Sequence, residues 1–527
     1  MPPRFLFAGP GSGASIGETS RGAAMKLVLA TALAASVLAA PAWAQQRANS
    51  LTWATNSEIE TFDPYATAKR TSQQVIRNVL ENLIVRVPSG KAVPALATSW
   101  KWIDPTTLEL ALRRGVTFHD GSPFTADDVV YTVDYVKKPE NNVSFGKADY
   151  GFIKGAAKVD DFTVRLLLEA PTPSAVEQLT QVLFILPRAT HEKMGARAFG
   201  AAPVGTGPFK VEKLEPGRQA VLARNDKYYP ADWGKPRFDK ITVISIVDTQ
   251  TQVAELTSGK VDFLGNIQPD QVLQLKSARN IDIASGQSVV SNFLLLDSAN
   301  RTGTTPNPMQ DKNVRLAISH GIDRLAIAKT LRGEASEVIP TPCHPKQFGC
   351  VQDVVKYAHD VKKAKEYLAK SAFPKGFEVR ITAYPENGPV AEAISGELRG
   401  IGIEAKSGVS ETSAWVKELF GGKALASVIS WPSNGVYDVA ALVPLFFQGD
   451  QGDYSRDNVV MDAFKKAATL TDEKERLALY KTGFDRLANE ALVVPLMTGV
   501  TNFAYRKGLD FALPADGYAI AYMSGWK

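Results

Sequence analysis

Five histidines, two cysteines and one G-x-S-x-G run are the features of this 527-residue chain whose types could carry catalysis, and their spacing points elsewhere. His119, His191, His320, His344 and His359 form no H-E-x-x-H or other paired spacing, the pattern that would bring two imidazoles to one metal ion. Gly13-Ala14-Ser15-Ile16-Gly17 has the letters of a nucleophile elbow. It lacks the preceding strand that would drive the serine into a sharp, exposed turn. Gly205-Thr206-Gly207-Pro208-Phe209-Lys210 sets two glycines around a threonine, but no Lys-Ser/Thr follows to grip a phosphate. That run reads as a turn entering a strand. No metal site, cofactor motif or Walker motif stands out, so the chemistry left to explain is binding.

The elements that must position a binding site are those of a large globular protein. Hydrophobic residues make up 45% and charged residues 22%, which excludes disorder, coiled coil and collagen, and the length fits two to four domains. The formal charge of +5 is too small and dispersed for a nucleic-acid surface. Met25-Lys26, the apolar run Leu27 to Ala40 and Pro41-Ala42-Trp43-Ala44 read as the n-region, h-region and A-x-A site of a cleavable signal peptide, residues 25–44. Residues 1–24 then read as a non-native upstream extension. Gln45 follows the cut where a lipid anchor would need cysteine, so the expected address is the periplasm. In such an exported chain Cys343 and Cys350 read first as a local disulfide. Closing so short a loop contributes roughly 2.5 kcal/mol in the chain-entropy model. The rival reading, a metal held by Cys343, His344 and Cys350, has no visible fourth ligand.

Local structure is most legible from Leu108 to Val136. Leu108, Leu110 and Leu112 alternate as in a strand, and Asp120-Gly121-Ser122-Pro123 marks a turn. Thr125 then caps a helix, with Asp128 closing a capping box and Val129, Val130, Val133 and Val136 on its apolar face. Elsewhere Val75, Ile76, Val79, Leu80 and Leu83 predict one helix, and Val314, Ala317, Ile318, Gly321, Ile322 and Leu325 predict another. The βα alternation from Phe377 to Tyr480 predicts an α/β unit.

Arg114-Gly115-Val116-Thr117-Phe118-His119-Asp120-Gly121-Ser122-Pro123-Phe124-Thr125-Ala126-Asp127-Asp128-Val129-Val130-Tyr131 resembles the signature of the family 5 extracellular solute-binding proteins, receptors of peptide, nickel and opine ABC importers. Pro94-Ala95-Leu96-Ala97-Thr98-Ser99-Trp100, the Gly205 to Phe209 run and Gly259-Lys260-Val261-Asp262-Phe263 extend the resemblance over most of the chain. It implies an α/β, two-lobe periplasmic binding protein-like fold (type II, cluster C) with an extra subdomain on the first lobe. The implied division is lobe I from 45–85, 201–300 and 491–527, the subdomain from 86–200, and lobe II from 301–490. It also implies a monomer that binds a peptide or other small organic ligand and docks on ABC permease subunits, with no cofactor, metal or nucleic acid. The lack of a Walker motif agrees with ATP hydrolysis in a separate partner. Two other classes use the same exported address: a ligand-sensing partner of a membrane receptor, and a hydrolase with a dispersed triad.

The resemblance also marks candidate ligand-binding residues: Tyr65 in the opening segment, Trp415, and Trp431, Asn434, Tyr437 and Asp438 in the second lobe. Peptide-binding relatives carry an Asp three residues after the strand-ending Trp, where it pairs with an α-ammonium. Asn434 stands at that position here and offers only a neutral acceptor, a weaker hydrogen bond to an ammonium. Asp438 is the expected substitute. The loop Tyr384-Pro385-Glu386-Asn387-Gly388-Pro389 carries no Arg or Lys where dipeptide-binding relatives hold the ligand carboxylate.

Overall fold

The computed structural model describes residues 49–527 apart from 68, 145–148, 230–233, 515 and 520. The signal peptide, the upstream extension and the G-x-S-x-G run lie outside the described residues. At the stretch that organises the reading, the Thr125 N–H donates to Asp128 Oδ2 at 2.9 Å, and the helix Ala126–Lys137 buries Val129, Val133 and Val136. Asp128 does more than cap, because its other oxygen accepts the Arg188 N–H at 2.9 Å and ties a distant segment to this helix. The alternating strand Thr107–Leu112 sits in a four-stranded sheet with Ala97–Asp104, Thr163–Leu168 and Ile153–Asp160. Leu108, Leu110 and Leu166 on that sheet share one hydrophobic core with Leu51, Trp53 and Phe209, so this insertion does not fold around a core of its own.

A ten-stranded mixed sheet runs through the chain in the order Glu404–Val409, Glu378–Ala383, Ala426–Trp431, Ile281–Leu296, Val493–Arg506, Phe263–Leu264, Ser50–Thr55, Lys240–Ser245, Gln219–Arg224, Phe209–Glu215. Its two longest strands are central and antiparallel. Ile281 to Ser288 pair with Arg506 to Gly499, and Ser291 to Leu295 pair with Thr498 to Val493, with register shifts between Ser288 and Ser291 and between Asn292 and Phe293. Val289 and Val290 occupy the break, and a Cβ on Gly499 would stand 2.5 Å from the Val290 Cβ, so the partner strand needs glycine there. On one side of the break the pair meets Phe263–Leu264; on the other it meets Ala426–Trp431. Separate cores follow: Phe263 and Phe503 belong to the first, whereas Leu294, Val428 and Val494 belong to a second. Both long strands thus contribute residues to more than one core.

Two helices differ from the periodicity. Val75, Ile76, Val79, Leu80 and Leu83 are all buried, but the helix Arg70–Ile76 ends early and the Asn78 side chain donates to the carbonyls of Gln74 and Val75, both at 3.1 Å. The run from Asp311 divides into Lys312–Gly321 and Arg324–Arg332 because Ile322 is extended and Asp323 caps the second helix through the Ala326 N–H at 3.0 Å. Side-chain competition for backbone groups ends both where apolar spacing alone would continue.

Beyond the short first helix, Glu81 is buried with its Oε1 accepting from the hydroxyls of Tyr228 at 2.7 Å and Tyr229 at 2.9 Å. Burial pushes its carboxyl up from 4.5 to about 7, against the pull of these hydrogen bonds. The folded state therefore binds this proton more tightly than the unfolded chain, and the stabilisation from Glu81 is full below pH 4.5 and lost as pH rises through about 7. Glu81→Gln should match wild type in urea unfolding at pH 4 and exceed it by about 3 kcal/mol at pH 8. Equal stability at both pH values would show that the group is not shifted.

Candidate functional site

A cavity of about 480 Å³ lies between the two halves, with Val289 and Val290 of the crossing strand in its wall. Gln73, Arg77, Gln181 and Phe184 line it from the first half, Trp431, Pro432, Asn434 and Gly435 from the second, and Asp149, Tyr150, Asp516 and Tyr518 complete it. Its size falls in the range of small-molecule sites, and its walls combine aromatic surface with a few polar groups.

The second-half wall begins where the strand Ala426–Trp431 ends. Trp431 is held by its Nε1–H, which donates to the Ala441 carbonyl at 2.8 Å, and by edge contact with Phe446 at 5.3 Å. The chain then turns sharply: Ser433, Asn434 and Gly435 all take positive φ, at 47°, 47° and 73°. Such a turn is uncommon for non-glycine residues and persists only where neighbours fix it. From the first half, the Gln181 side chain donates to the Gly435 carbonyl at 3.3 Å, and a Cβ at Gly435 would lie 2.9 Å from that side chain. From behind, the Gln347 amide donates to the carbonyls of Val436 at 3.0 Å and Asp438 at 3.2 Å, while the Phe348 N–H donates to the Tyr437 carbonyl at 2.8 Å. Gln347 and Phe348 lie inside the loop closed by Cys343 and Cys350, which are bonded with a Cα separation of 5.7 Å. The staple therefore acts on the backing of the cavity loop.

Of the candidates named from the sequence, the structure brings Trp431 and Asn434 to the cavity. The other four stand outside its wall. Tyr65 is buried behind it, donating from its hydroxyl to the Phe184 carbonyl at 2.6 Å and packing on Tyr135 and Tyr150. Trp415 is buried in the second half, with Nε1–H donating to Ser427 Oγ at 3.1 Å and its ring 4.9 Å from Tyr384. Tyr437 lies under the Arg86 guanidinium, 4.1 Å from its ring, and its N–H donates to Glu177 Oε2 at 3.3 Å. Arg86 pairs with the same Glu177 carboxylate, so a cation, an anion and an aromatic ring clasp the two halves together beside the cavity. Asp438 lies off the cavity wall: it is 2% exposed, with Oδ2 2.8 Å from Arg476 Nη2 and Oδ1 accepting the Ala440 N–H at 2.8 Å. Burial pushes its carboxyl up and Arg476 offsets this only in part.

Sequence reasoning missed Arg77, Asp149, Gln181, Asp516 and Tyr518. Arg77 carried a signal, a cation directly after the buried Val75 and Ile76. Its guanidinium donates to Gln181 Oε1 at 2.7 Å, lies 3.9 Å from Asp516 and sits 4.5 Å from the centre of the Tyr518 ring. The histidines are scattered in structural roles. His119 Nε2 meets the Gly207 carbonyl at 2.9 Å, His191 Nδ1 meets the Tyr131 hydroxyl at 2.7 Å, and burial pushes both rings down to about 4. Among the described residues no cluster of His, Cys, Asp or Glu could hold a metal.

Residues 91–453 match the family described as bacterial extracellular solute-binding proteins, family 5 Middle. A glutathione-binding protein, GsiB, of Salmonella choleraesuis is 26% identical over 518 residues, which cover 94% of this chain and 97% of the relative. The periplasmic binding protein DppA of Helicobacter pylori, solved in complex with the peptide STSA, is similar with a TM-score of 0.71 at 23% identity, covering 92% of this chain and all of that one (100%). The binding protein AgaA of A. tumefacien R10, solved with agropinic acid, gives a TM-score of 0.70 at 25% identity over 91% of this chain and 99% of its own.

The buried pair makes a test that separates structure from binding. Asp438→Asn should lower stability by about 3 to 5 kcal/mol in urea unfolding, because Arg476 is left buried without its charge partner. Lost ligand affinity at unchanged stability would instead return the Asp438 carboxylate to the cavity.

Proposed function

Because this chain belongs to the bacterial extracellular solute-binding proteins of family 5, we propose that it captures a peptide or peptide-like organic solute between two lobes and delivers it to the permease of an ABC importer. The observation that carries this reading is the cavity at the strand crossing, whose walls come from both halves. A ligand there touches both lobes at once, so it stabilises the closed form over the open one and shifts the population toward it. The register break at Val289 and Val290 lies in the wall of this cavity. The permease then reads closure rather than the ligand itself. The glutathione, the peptide STSA and the agropinic acid named for its relatives support a small organic solute rather than a macromolecule.

The family and the relatives are binding proteins, and that supports a receptor rather than an exported hydrolase. Export by the segment 25–44 would leave the receptor free in the periplasm. Among the described residues, no helix is long and apolar enough to cross a membrane.

Protein purified gently from its own periplasm should retain a solute, visible as a mass difference between native and denatured spectra. Calorimetric titration of the stripped protein with that solute should give an affinity about 10- to 100-fold lower for Trp431→Ala, the effect of losing one buried aromatic wall. Small-angle scattering should show a smaller radius of gyration at saturation. Turnover of the solute would favour the hydrolase reading, and an unchanged radius would rule out closure.

A further inference from the structure

We propose that Asp149, on the first-lobe side of the cavity, is the anchor for a cationic head group on the solute, so that this receptor selects ammonium-bearing organic ligands. The assignment deepens the solute-capture reading and rests on it. Its basis is the charge left over once the cavity's own pairings are made. Arg77 is already engaged by Gln181, by the Tyr518 ring and by Asp516 at 3.9 Å. Asp149 lines the same cavity, is half-buried, and has no hydrogen bond or ion pair among the described residues. A carboxylate kept partly out of water without a partner is unfavourable unless something else supplies the opposite charge. In a closing receptor, that something is the ligand.

The second-lobe positions strengthen the argument. Asn434 carries no charge, and Asp438 is consumed by Arg476. An amine entering the cavity therefore finds no free carboxylate on the Trp431 wall. Trp431, Val289 and Val290 offer apolar surface for the body of the solute, while Asp149 supplies the charge. Amine recognition has in effect moved from the second lobe to the first.

Burial alone pushes the Asp149 carboxyl up to about 6, with no neighbouring cation holding it down. The other charged and titratable groups about the cavity are Arg77, Asp516, Tyr518 and Tyr150, with Asp63 acting on Tyr150 from behind. A proton on Asp149 competes with a cationic ligand, so binding should be strongest above pH 6 and weaken as pH falls through it. Between pH 7 and pH 5 the expected loss of affinity is about tenfold.

The test uses pairs of probes that differ in one positive charge: trialanine and N-acetyl-trialanine, putrescine and 1,4-butanediol, choline and 3,3-dimethyl-1-butanol. Thermal shift of the full mature protein finds which pairs bind, and calorimetry gives affinities at pH 5 and pH 7. The charged member should bind and its neutral partner should not. Asp149→Asn should abolish the preference and the pH slope while raising the melting temperature of the probe-free protein at pH 7, because it removes an uncompensated carboxylate, and Asp149→Glu should keep the preference. Equal binding of both members of a pair overturns the assignment while leaving the receptor intact. So does a preference or a pH slope that survives Asp149→Asn; a surviving slope would point to the buried Glu81. Failure of every charged probe to bind overturns the assignment, while the solute-capture reading falls only if the gently purified protein also retains no solute.

Discussion

The pairing of Ile281–Leu296 with Val493–Arg506 is the constraint on which the rest of this structure depends. Each strand contributes to one hydrophobic core near one end and to others near the other end, which ties the packing of the two halves together. Hydrogen bonds along a two-strand ladder resist stretching and shear far more than bending. Here one break in register falls at Val289 and Val290, which also line the cavity. Coupling between occupancy and shape needs no long-range pathway in such an arrangement.

Around this crossing, charge is distributed unevenly between holding the halves together and meeting a ligand. Arg86, Glu177 and Tyr437 form a clasp next to the cavity, and the Arg86 side chain is itself tied to the Gly90 carbonyl at 2.7 Å. Arg476 and Asp438 brace the loop from its far side. Arg86, Arg476 and Asp438 are buried, Glu177 is partly so, and each group pairs a cation with an anion. Their net stabilisation is modest, since desolvation offsets most of the attraction, but they fix one geometry of the 433–438 turn. The disulfide loop does related work at lower electrostatic cost, offering Gln347 and Phe348 as neutral hydrogen-bonding partners. A strained turn of three left-handed residues is thereby over-determined from several directions.

Much of the fold was legible because its signals are local. The capping box at Thr125, the alternation of Leu108, Leu110 and Leu112 and the spacing of the two cysteines each involve residues close in sequence, and each is present in the structure. Helix ends were less legible. Asn78 and Asp323 compete for backbone groups, and apolar periodicity does not register that competition. The cavity was legible only in part. Trp431 and Asn434 follow a strand end, a position readable by resemblance. Arg77, Gln181 and Tyr518 meet through separations that no local pattern encodes.

The candidates that left the cavity show why residue type alone misleads. Tyr437 and Asp438 have the right chemistry for a ligand site, but a buried charge attracts the nearest complementary side chain first. Arg86 covers the Tyr437 ring and Arg476 pairs with Asp438, and a carboxylate that the fold has already paired is not offered to a ligand without breaking that pair. A binding carboxylate must therefore be one that the fold leaves poorly compensated, at a level of burial that raises its energy without unfolding the site. Asp149 has that character and Asp438 does not. Unpaired charge in a closing cleft is a better guide to ligand chemistry than the count of polar residues near it.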